Sequence, residues 1–247
     1  MNAKLLFRLI VVFGLLIIPL SIASANNDSP RGKGNTLDPN YKWSPEELAR
    51  MAEKEKEAKI HAQISLTLDY NQQLLYVGSA DAYRELYEYE YRNYCGPTST
   101  QVAIRARTSD VPDVEDVAIA EELDPDWGIW IDAITPYIND YLNTNWYVTD
   151  VAGDSTELGN WIEDDVDSGY APITGTVTDD MPGWTVDAEH ILAVYGYNYS
   201  NPTKYVYYAD TGSETAGHYY SYGGAYFNSI SLDTFWSYVS PNNVQVW

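Results

Sequence analysis

Hydrophobic and polar positions follow two different patterns along the chain, and the change divides it into two halves. Between residues 44 and 142, apolar residues recur three or four positions apart, which is typical of helices packed on one face. From residue 146 onward they form mostly short β-branched and aromatic runs separated by Gly, Asn, Pro and Asp, which predict strands. We therefore predict an α+β domain with a helical N-terminal half packed on a C-terminal antiparallel sheet.

Helix-capping and helix-breaking residues define the bounds of the predicted elements. Ser44 and Pro45 start the first helix, Ser155 is expected to cap a later one, and Ser231 starts the last. The predicted helices cover residues 45–63, 98–107, 112–123, 129–142, 155–167 and 231–239. The predicted strands cover residues 64–68, 146–151, 171–177, 191–197, 205–209 and 225–230. Pro136 is expected to kink or restart the fourth helix.

The segment before the domain is polar. Residues 26–42 contain Pro and Gly and are expected to form a flexible leader. The first helix is mostly charged and has a thin apolar stripe, so we expect a solvated stalk. The alternative is a pro-segment that covers a cleft. Residues 26–63 thus precede a domain predicted to span residues 64–247.

Residues 1–25 have the layout of a secretory signal peptide. A basic start is followed by an apolar run from Leu9 to Leu20 and by small residues that end at Ala25. The run is short for a spanning helix, which needs roughly 20 apolar residues. We expect cleavage after Ala25 and a secreted, extracellular protein without stable membrane insertion; an uncleaved anchor is the alternative.

The charge of the chain limits its partners. The formal net charge is −22, and Lys and Arg are not clustered. Phosphate backbones are bound by clusters of basic residues, so nucleic acid is not an expected partner.

Cys95 is the only cysteine of the chain. A lone cysteine in an exported protein makes no internal disulfide, so it is either buried and inert or kept free for chemistry. The Gly96-Pro97 pair after it allows a sharp turn into the helix that follows. The N-terminus of a helix stabilises a thiolate.

Of the three histidines, His190 is the candidate partner for this thiol. His61 lies in the charged first helix and His218 in a Gly- and Ser-rich loop, and both are expected at the surface. His190 opens an apolar strand, and Asp210 follows the next strand. If the two strands pair through the turn between them, His190 and Asp210 lie at the same end of the sheet, where Asp210 orients the imidazole.

The segment from Cys95 to Ser99 at a helix start, the strand-opening His190, and Tyr205-Val206 before Asp210 together resemble the C39-like cysteine peptidases. The resemblance covers roughly residues 94–239. It implies a papain-like fold, with Cys95 as nucleophile, His190 as general base and acid, and Asp210 as the orienting residue. It further implies a peptide or protein substrate and no cofactor.

One position departs from that family. Its members usually carry a glutamine six residues before the cysteine, whose amide binds the oxyanion, and here that position is Tyr89. The Tyr89 phenol is the candidate replacement, beside the Cys95 N–H. Losing one oxyanion donor typically costs ~10²–10³ in rate.

A second hypothesis is a papain-like protein that no longer catalyses efficiently and binds peptides or cell-wall components through its many aromatic residues. A metal-dependent protein is not expected, because one cysteine and three scattered histidines have no zinc-site spacing. The acidic residues 163–169 lack the pattern of a calcium loop and are interpreted as a solvated helix end.

Overall fold

One antiparallel sheet forms the centre of the fold. The computed structural model describes residues 36–65, 72–79, 83, 93–184, 187–200, 202–212 and 225–247. Within these residues the strands are β1 Gln72–Leu74, β2 Thr149–Asp150, β3 Ile173–Val177, β4 Glu189–Asn198, β5 Tyr205–Ala209, β6 Phe227–Ser231 and β7 Gln245–Val246. They pair in the order β2-β7-β3-β4-β5-β6, and β1 pairs with β4.

Strand β4 lies at the middle of this sheet and is paired on both edges. Its residues 189–193 pair with β3, residues 196–198 with β1, and residues 193–198 with β5. Seven of its ten residues are buried. An apolar strand of this kind is covered on both faces.

Helices cover the two faces of the sheet. They are α1 Pro45–Ser65, α2 Cys95–Arg107, α3 Val114–Ala120, α4 Ile134–Tyr141, α5 Ser155–Asp167 and α6 Leu232–Val239, with a 3₁₀ turn at Ile131–Ala133. Ile191 on β4 faces a core with residues of α2 and α4, whereas its neighbour Leu192 faces a core with α5 and α6. This alternation is the normal two-residue period of a strand. The predicted α+β layout is confirmed.

The expectation that the first helix is a solvated stalk is wrong. Helix α1 packs along α5, and the side chain of Lys54 is fully buried between them. Lys54 Nζ lies 2.9 Å from Asp165 Oδ1. It also lies 4.6 Å and 4.4 Å from the ring centroids of Trp146 and Trp247, within range of cation–π attraction. The helix is therefore part of the folded domain.

The interpretation of residues 163–169 as a solvated helix end is also wrong for its first part. Glu163, Asp164 and Asp165 are all buried, because this side of α5 faces α1 rather than water. The N-cap of α5 is Asp154, one residue before the predicted Ser155. The Asp154 carboxylate accepts hydrogen bonds from the N–H groups of Thr156 and Glu157 at 2.8 Å and 2.9 Å.

Three further comparisons between prediction and structure concern helix ends. Ser231 caps α6 as predicted and accepts from the N–H of Thr234. Helix α4 restarts after the 3₁₀ turn, so that Pro136 lies in its first turn, where a missing N–H is tolerated. Helix α1 continues through Ser65, where a strand from residue 64 was predicted.

Some predictions lie outside the described residues: the signal peptide at 1–25, residues 26–35 of the leader, residues 66–68 of the first strand, Tyr89 and His218. The expectation of a flexible leader is wrong for residues 36–42, because the Asp38 N–H donates to Asp132 Oδ1 at 2.9 Å and the Thr36 carbonyl accepts from the Ile131 N–H at 3.3 Å. Among the residues that the structure describes, no helix has both the length and the apolar character to cross a bilayer.

Candidate active site

The N-terminus of α2 meets the sheet where β3 ends, β4 begins and β5 ends. Cys95 is itself the first residue of α2, one turn earlier than the helix was predicted to begin. Two hydroxyl groups fix the helix there. Ser99 Oγ donates to the carbonyl of Ile191 at 2.9 Å, and Thr98 Oγ1 donates to Thr211 Oγ1 at 2.9 Å. The thiol is thereby held beside the first residues of β4.

Gly96 permits this approach, but through packing rather than through a sharp turn. It lies inside α2, and a Cβ atom at this position would be 2.2 Å from Ile129 Cδ1 and 2.7 Å from Ile129 Cγ1. Ile129 is almost fully buried. The missing side chain therefore lets the segment around Ile129 pack directly against the first turn of α2.

His190 and Asp210 form a buried pair at this edge. His190 Nε2 lies 2.9 Å from Asp210 Oδ1, and the two side chains are 2% and 1% exposed. The residues lie at the same end of the sheet because β4 and β5 are antiparallel neighbours. Antiparallel pairing of these two strands is the arrangement expected above.

The second carboxylate oxygen of Asp210 is bound by Trp184. Trp184 Nε1 donates to Asp210 Oδ2 at 2.7 Å, and the Gly212 N–H donates to Oδ1 at 3.2 Å. The indole ring also lies against the imidazole, with 4.6 Å between the Trp184 and His190 ring centroids. Asp210 and His190 are thus held in place by one tryptophan that contacts both.

The Cys95 side chain hydrogen-bonds His190. Since Nε2 faces Asp210, the nitrogen that faces the sulfur is Nδ1. Burial alone lowers the pKa of His190, but the charge and hydrogen bond of Asp210, together with the contact to Cys95, outweigh it and raise that pKa well above its ordinary value. This environment favours an imidazolium between two potential anions.

The structure therefore brings together Cys95, His190 and Asp210, while Tyr89 lies outside the described residues. The contacts made by Trp184 were not anticipated. Trp184 follows a turn between β3 and β4, and no period or spacing in the sequence indicates that its indole reaches Asp210.

Comparison with known proteins gives a family and a set of distant structural neighbours. No curated protein matches the chain. Among papain-like solved structures, digestive procathepsin L 3 of Tenebrio molitor larval midgut is 11% identical, with a TM-score of 0.42 over 84% of this chain and 94% of that one. A recombinant stem bromelain precursor is 9% identical, with a TM-score of 0.44 over 84% of this chain and 93% of that one.

The family match includes the whole site. The model of the Peptidase C39 like family matches residues 65–237, which contain Cys95, His190 and Asp210 and begin at the last residue of α1. This protein is therefore a member of the Peptidase C39 like family.

Proposed function

We propose that this protein is a cysteine peptidase that cleaves peptide amides, with Cys95 as nucleophile, His190 as general base and acid, and Asp210 as the residue that orients His190. One observation carries the proposal. The buried imidazole of His190 is hydrogen-bonded by the Cys95 side chain on one side and by Asp210 Oδ1, at 2.9 Å, on the other. A thiol beside an imidazole that a third group orients is the arrangement that acyl transfer requires.

In the first half of the reaction, His190 Nδ1 holds the thiol proton and the Cys95 thiolate attacks the carbonyl carbon of the amide. The oxyanion that forms is stabilised by the Cys95 N–H, because the first N–H groups of a helix have no partner within the helix. Tyr89 is the proposed second donor. The C–N bond then breaks as His190 passes its proton to the leaving amine, which leaves a thioester on Cys95.

In the second half, His190 removes a proton from water, and the resulting hydroxide attacks the thioester. The C–S bond breaks, the carboxylic acid product leaves, and the thiolate–imidazolium pair is restored. Asp210 stabilises the imidazolium throughout, and Trp184 holds Asp210 in place. No cofactor takes part in these steps.

The proposed substrates are peptides or proteins that lie outside the cell. Residues 1–25 have the layout of a signal peptide, and the strongly acidic chain lacks the basic clusters that nucleic acid binding requires. N-terminal sequencing of the protein recovered from the culture medium tests export. The expected first residue is Asn26, whereas an intact N-terminus in the membrane fraction would contradict it.

The peptidase proposal is tested by peptide hydrolysis and by alkylation of the thiol. Cys95 is the only cysteine, so iodoacetamide labelling reports on this site alone. We expect wild-type Cys95 to react at pH 6 at least ~10 times faster than free cysteine, because the imidazolium stabilises the thiolate. His190→Ala should lower that rate to the level of a free thiol.

Cys95→Ala should abolish hydrolysis of a peptide library and leave the fold intact. Ser237→Ala, on the exposed side of α6, is the matched control and should keep full activity. Full hydrolysis by Cys95→Ala, or a labelling rate that His190→Ala does not change, would contradict the proposal. Peptide binding without hydrolysis would favour the alternative of a binding protein.

A further inference from the structure

A second group of potential ligands lies between α1 and α5, away from Cys95. His61 on α1 and Glu163 and Asp167 on α5 each offer one nitrogen or oxygen atom, and these three atoms lie within 4.8 Å of one another. Glu163 and Asp167 are four residues apart, so that both project from the same face of α5. His61, which was expected at the surface, is partly exposed, at 32% of its side chain, and faces Asp167.

The spacing of His61 and Asp167 is compatible with a shared metal ion as well as with an ion pair. His61 Nε2 lies 3.4 Å from Asp167 Oδ2, whereas charge-assisted N–H···O bonds are usually about 2.7–2.9 Å long. Two ligand atoms that are each about 2.0–2.1 Å from a tetrahedral zinc ion are about 3.3 Å apart. The distance between His61 Nε2 and Asp167 Oδ2 is therefore close to the distance between two ligand atoms of a tetrahedral zinc ion.

The hydrogen bonding around the cluster resembles that of protein metal sites. Asp167 Oδ1 accepts a hydrogen bond from Tyr197 Oη at 2.8 Å, which orients the carboxylate and leaves Oδ2 facing His61. Hydrogen bonds of this kind fix the ligands of protein metal sites. Tyr197 belongs to β4, so the cluster is fixed to the sheet as well as to both helices.

Charge balance points in the same direction. Glu163 is 6% exposed, and its carboxylate is one of the three groups of the cluster. Two carboxylates facing one imidazole keep a net negative charge even when His61 is protonated. A divalent ion with a neutral imidazole would neutralise the cluster.

We propose that His61, Glu163 and Asp167 bind one zinc ion, with water as the fourth ligand. One imidazole and two carboxylates form a mixed set that suits zinc, whereas calcium and magnesium prefer oxygen ligands alone. On binding, a protonated His61 releases its proton. The ligands come from both sides of residue 65, where the family match begins, so the ion would fasten α1 to the domain.

Zinc binding is tested by titration of the full chain against a chromogenic chelator. The titration uses a Cys95→Ala background, because the thiol and His190 would themselves bind zinc. We expect one zinc ion per chain and a rise in the thermal midpoint, and no comparable rise with calcium. His61→Gln and Glu163→Gln should each weaken zinc binding at least ~100-fold.

Glu57→Gln is the matched control. Glu57 is another acidic residue of α1, about one turn before His61, and its side chain is half exposed beside Arg50. The Glu57→Gln variant should bind zinc as tightly as the Cys95→Ala background protein. Three results would overturn the proposal: no zinc bound by the background protein, equal binding by His61→Gln with a native circular dichroism spectrum, or an equal loss in Glu57→Gln. Peptide hydrolysis by wild type is measured separately and does not enter this test.

Discussion

The chemistry of the candidate site depends on the charge of a single residue, His190. Its imidazole is buried, which by itself favours the neutral form, yet Asp210 lies 2.9 Å from Nε2 and reverses that preference. The raised pKa of His190 means that the imidazolium persists to a higher pH than in an ordinary histidine. On the alkaline side, the proposed thiolate–imidazolium pair is lost when rising pH removes that proton.

Asp210→Asn should therefore lower kcat/KM by about 10²–10⁴-fold. The amide N–H₂ would face Nε2, which forces the imidazole to keep its proton on Nδ1 and makes it a poor base toward Cys95. The alkaline limb of the pH–rate profile should also move to lower pH, because the charge that raises the His190 pKa is gone. Asp233→Asn, an exposed change on α6, is the control. An unchanged alkaline limb in Asp210→Asn would contradict the proposed role.

Trp184→Phe tests the positioning role of the indole. It keeps an aromatic ring beside His190 but removes the Nε1–H bond to Asp210 Oδ2. We expect kcat to fall about 5–10-fold, the value of one buried hydrogen bond of ~1–1.5 kcal/mol, with little change in KM. Trp184→His, which retains a ring N–H donor, should recover part of kcat. Equal losses in both variants would argue for a purely structural role.

Cys95, His190 and Asp210 could be selected from the sequence because they stand at the start of a helix, at the start of a strand and just after a strand, respectively. Trp184 could not. Its two contacts depend on how the turn between β3 and β4 folds back over the edge of the sheet, and this path is a property of the tertiary structure.

At the scale of the elements, the position of α2 depends on the contact between Gly96 and Ile129. Gly96→Ala would place a Cβ 2.2 Å from Ile129 Cδ1, and overpacking of this kind typically costs ~1–3 kcal/mol. We expect lower stability in urea and lower peptidase activity as the first turn of α2 moves away from β4. Adding Ile129→Ala removes both clashing atoms and should restore part of the activity. If the double variant is less active than Gly96→Ala alone, the clash is not the cause.

Helix α1 depends on the burial of Lys54. Burial lowers the pKa of Lys54 and raises that of Asp165, and their mutual attraction opposes both shifts. Lys54→Met should destabilise the protein by about 3–5 kcal/mol, because it leaves the Asp165 carboxylate buried without its cation. Lys54→Met combined with Asp165→Asn should be markedly more stable in chemical denaturation than Lys54→Met alone.

Lys59→Met provides the comparison for Lys54. Lys59 pairs with Glu55 at 3.0 Å on the exposed side of the same helix. An exposed pair contributes about 0.5 kcal/mol or less within a helix. Equal effects of Lys54→Met and Lys59→Met would show that the buried pair does not hold α1.

Most helices and strands were predictable because their signals are local: caps such as Ser231, the helix break around Pro136, and β-branched runs between turns. The docking of α1 was not predictable from its own composition. Its partners Trp146, Asp165 and Trp247 lie about 90 to 190 positions away, and only the folded chain places them around one lysine.

At the scale of the whole molecule, buried ionisable groups make the folded protein more stable at mildly acidic pH than at alkaline pH. Burial raises the pKa of Glu121 to about 8, against the opposing hydrogen bond from Thr100, and raises that of Asp150 to about 6. Between the unfolded pKa and these values, the folded chain holds protons that the unfolded chain has released. Stability must then fall as pH rises. His190 adds to this trend, because the stability it contributes is lost as pH rises through its raised pKa.

We therefore expect the urea midpoint to be lower at pH 8.5 than at pH 5.5. Glu121→Gln should reduce this difference, since glutamine still accepts the Thr100 hydrogen bond, made at 2.6 Å, without a charge. The neighbouring exposed change Glu122→Gln should leave the difference as in wild type. A midpoint that rises between the two pH values would contradict this account.

The position of β4 in the middle of the sheet has a consequence for how the site fluctuates. Amide hydrogens near its start, which lie between β3 and the covering helices, exchange with solvent only when the sheet itself separates, and such positions report global rather than local opening. His190 is attached to that strand. The backbone that carries the imidazole is therefore expected to stay ordered until the sheet itself opens.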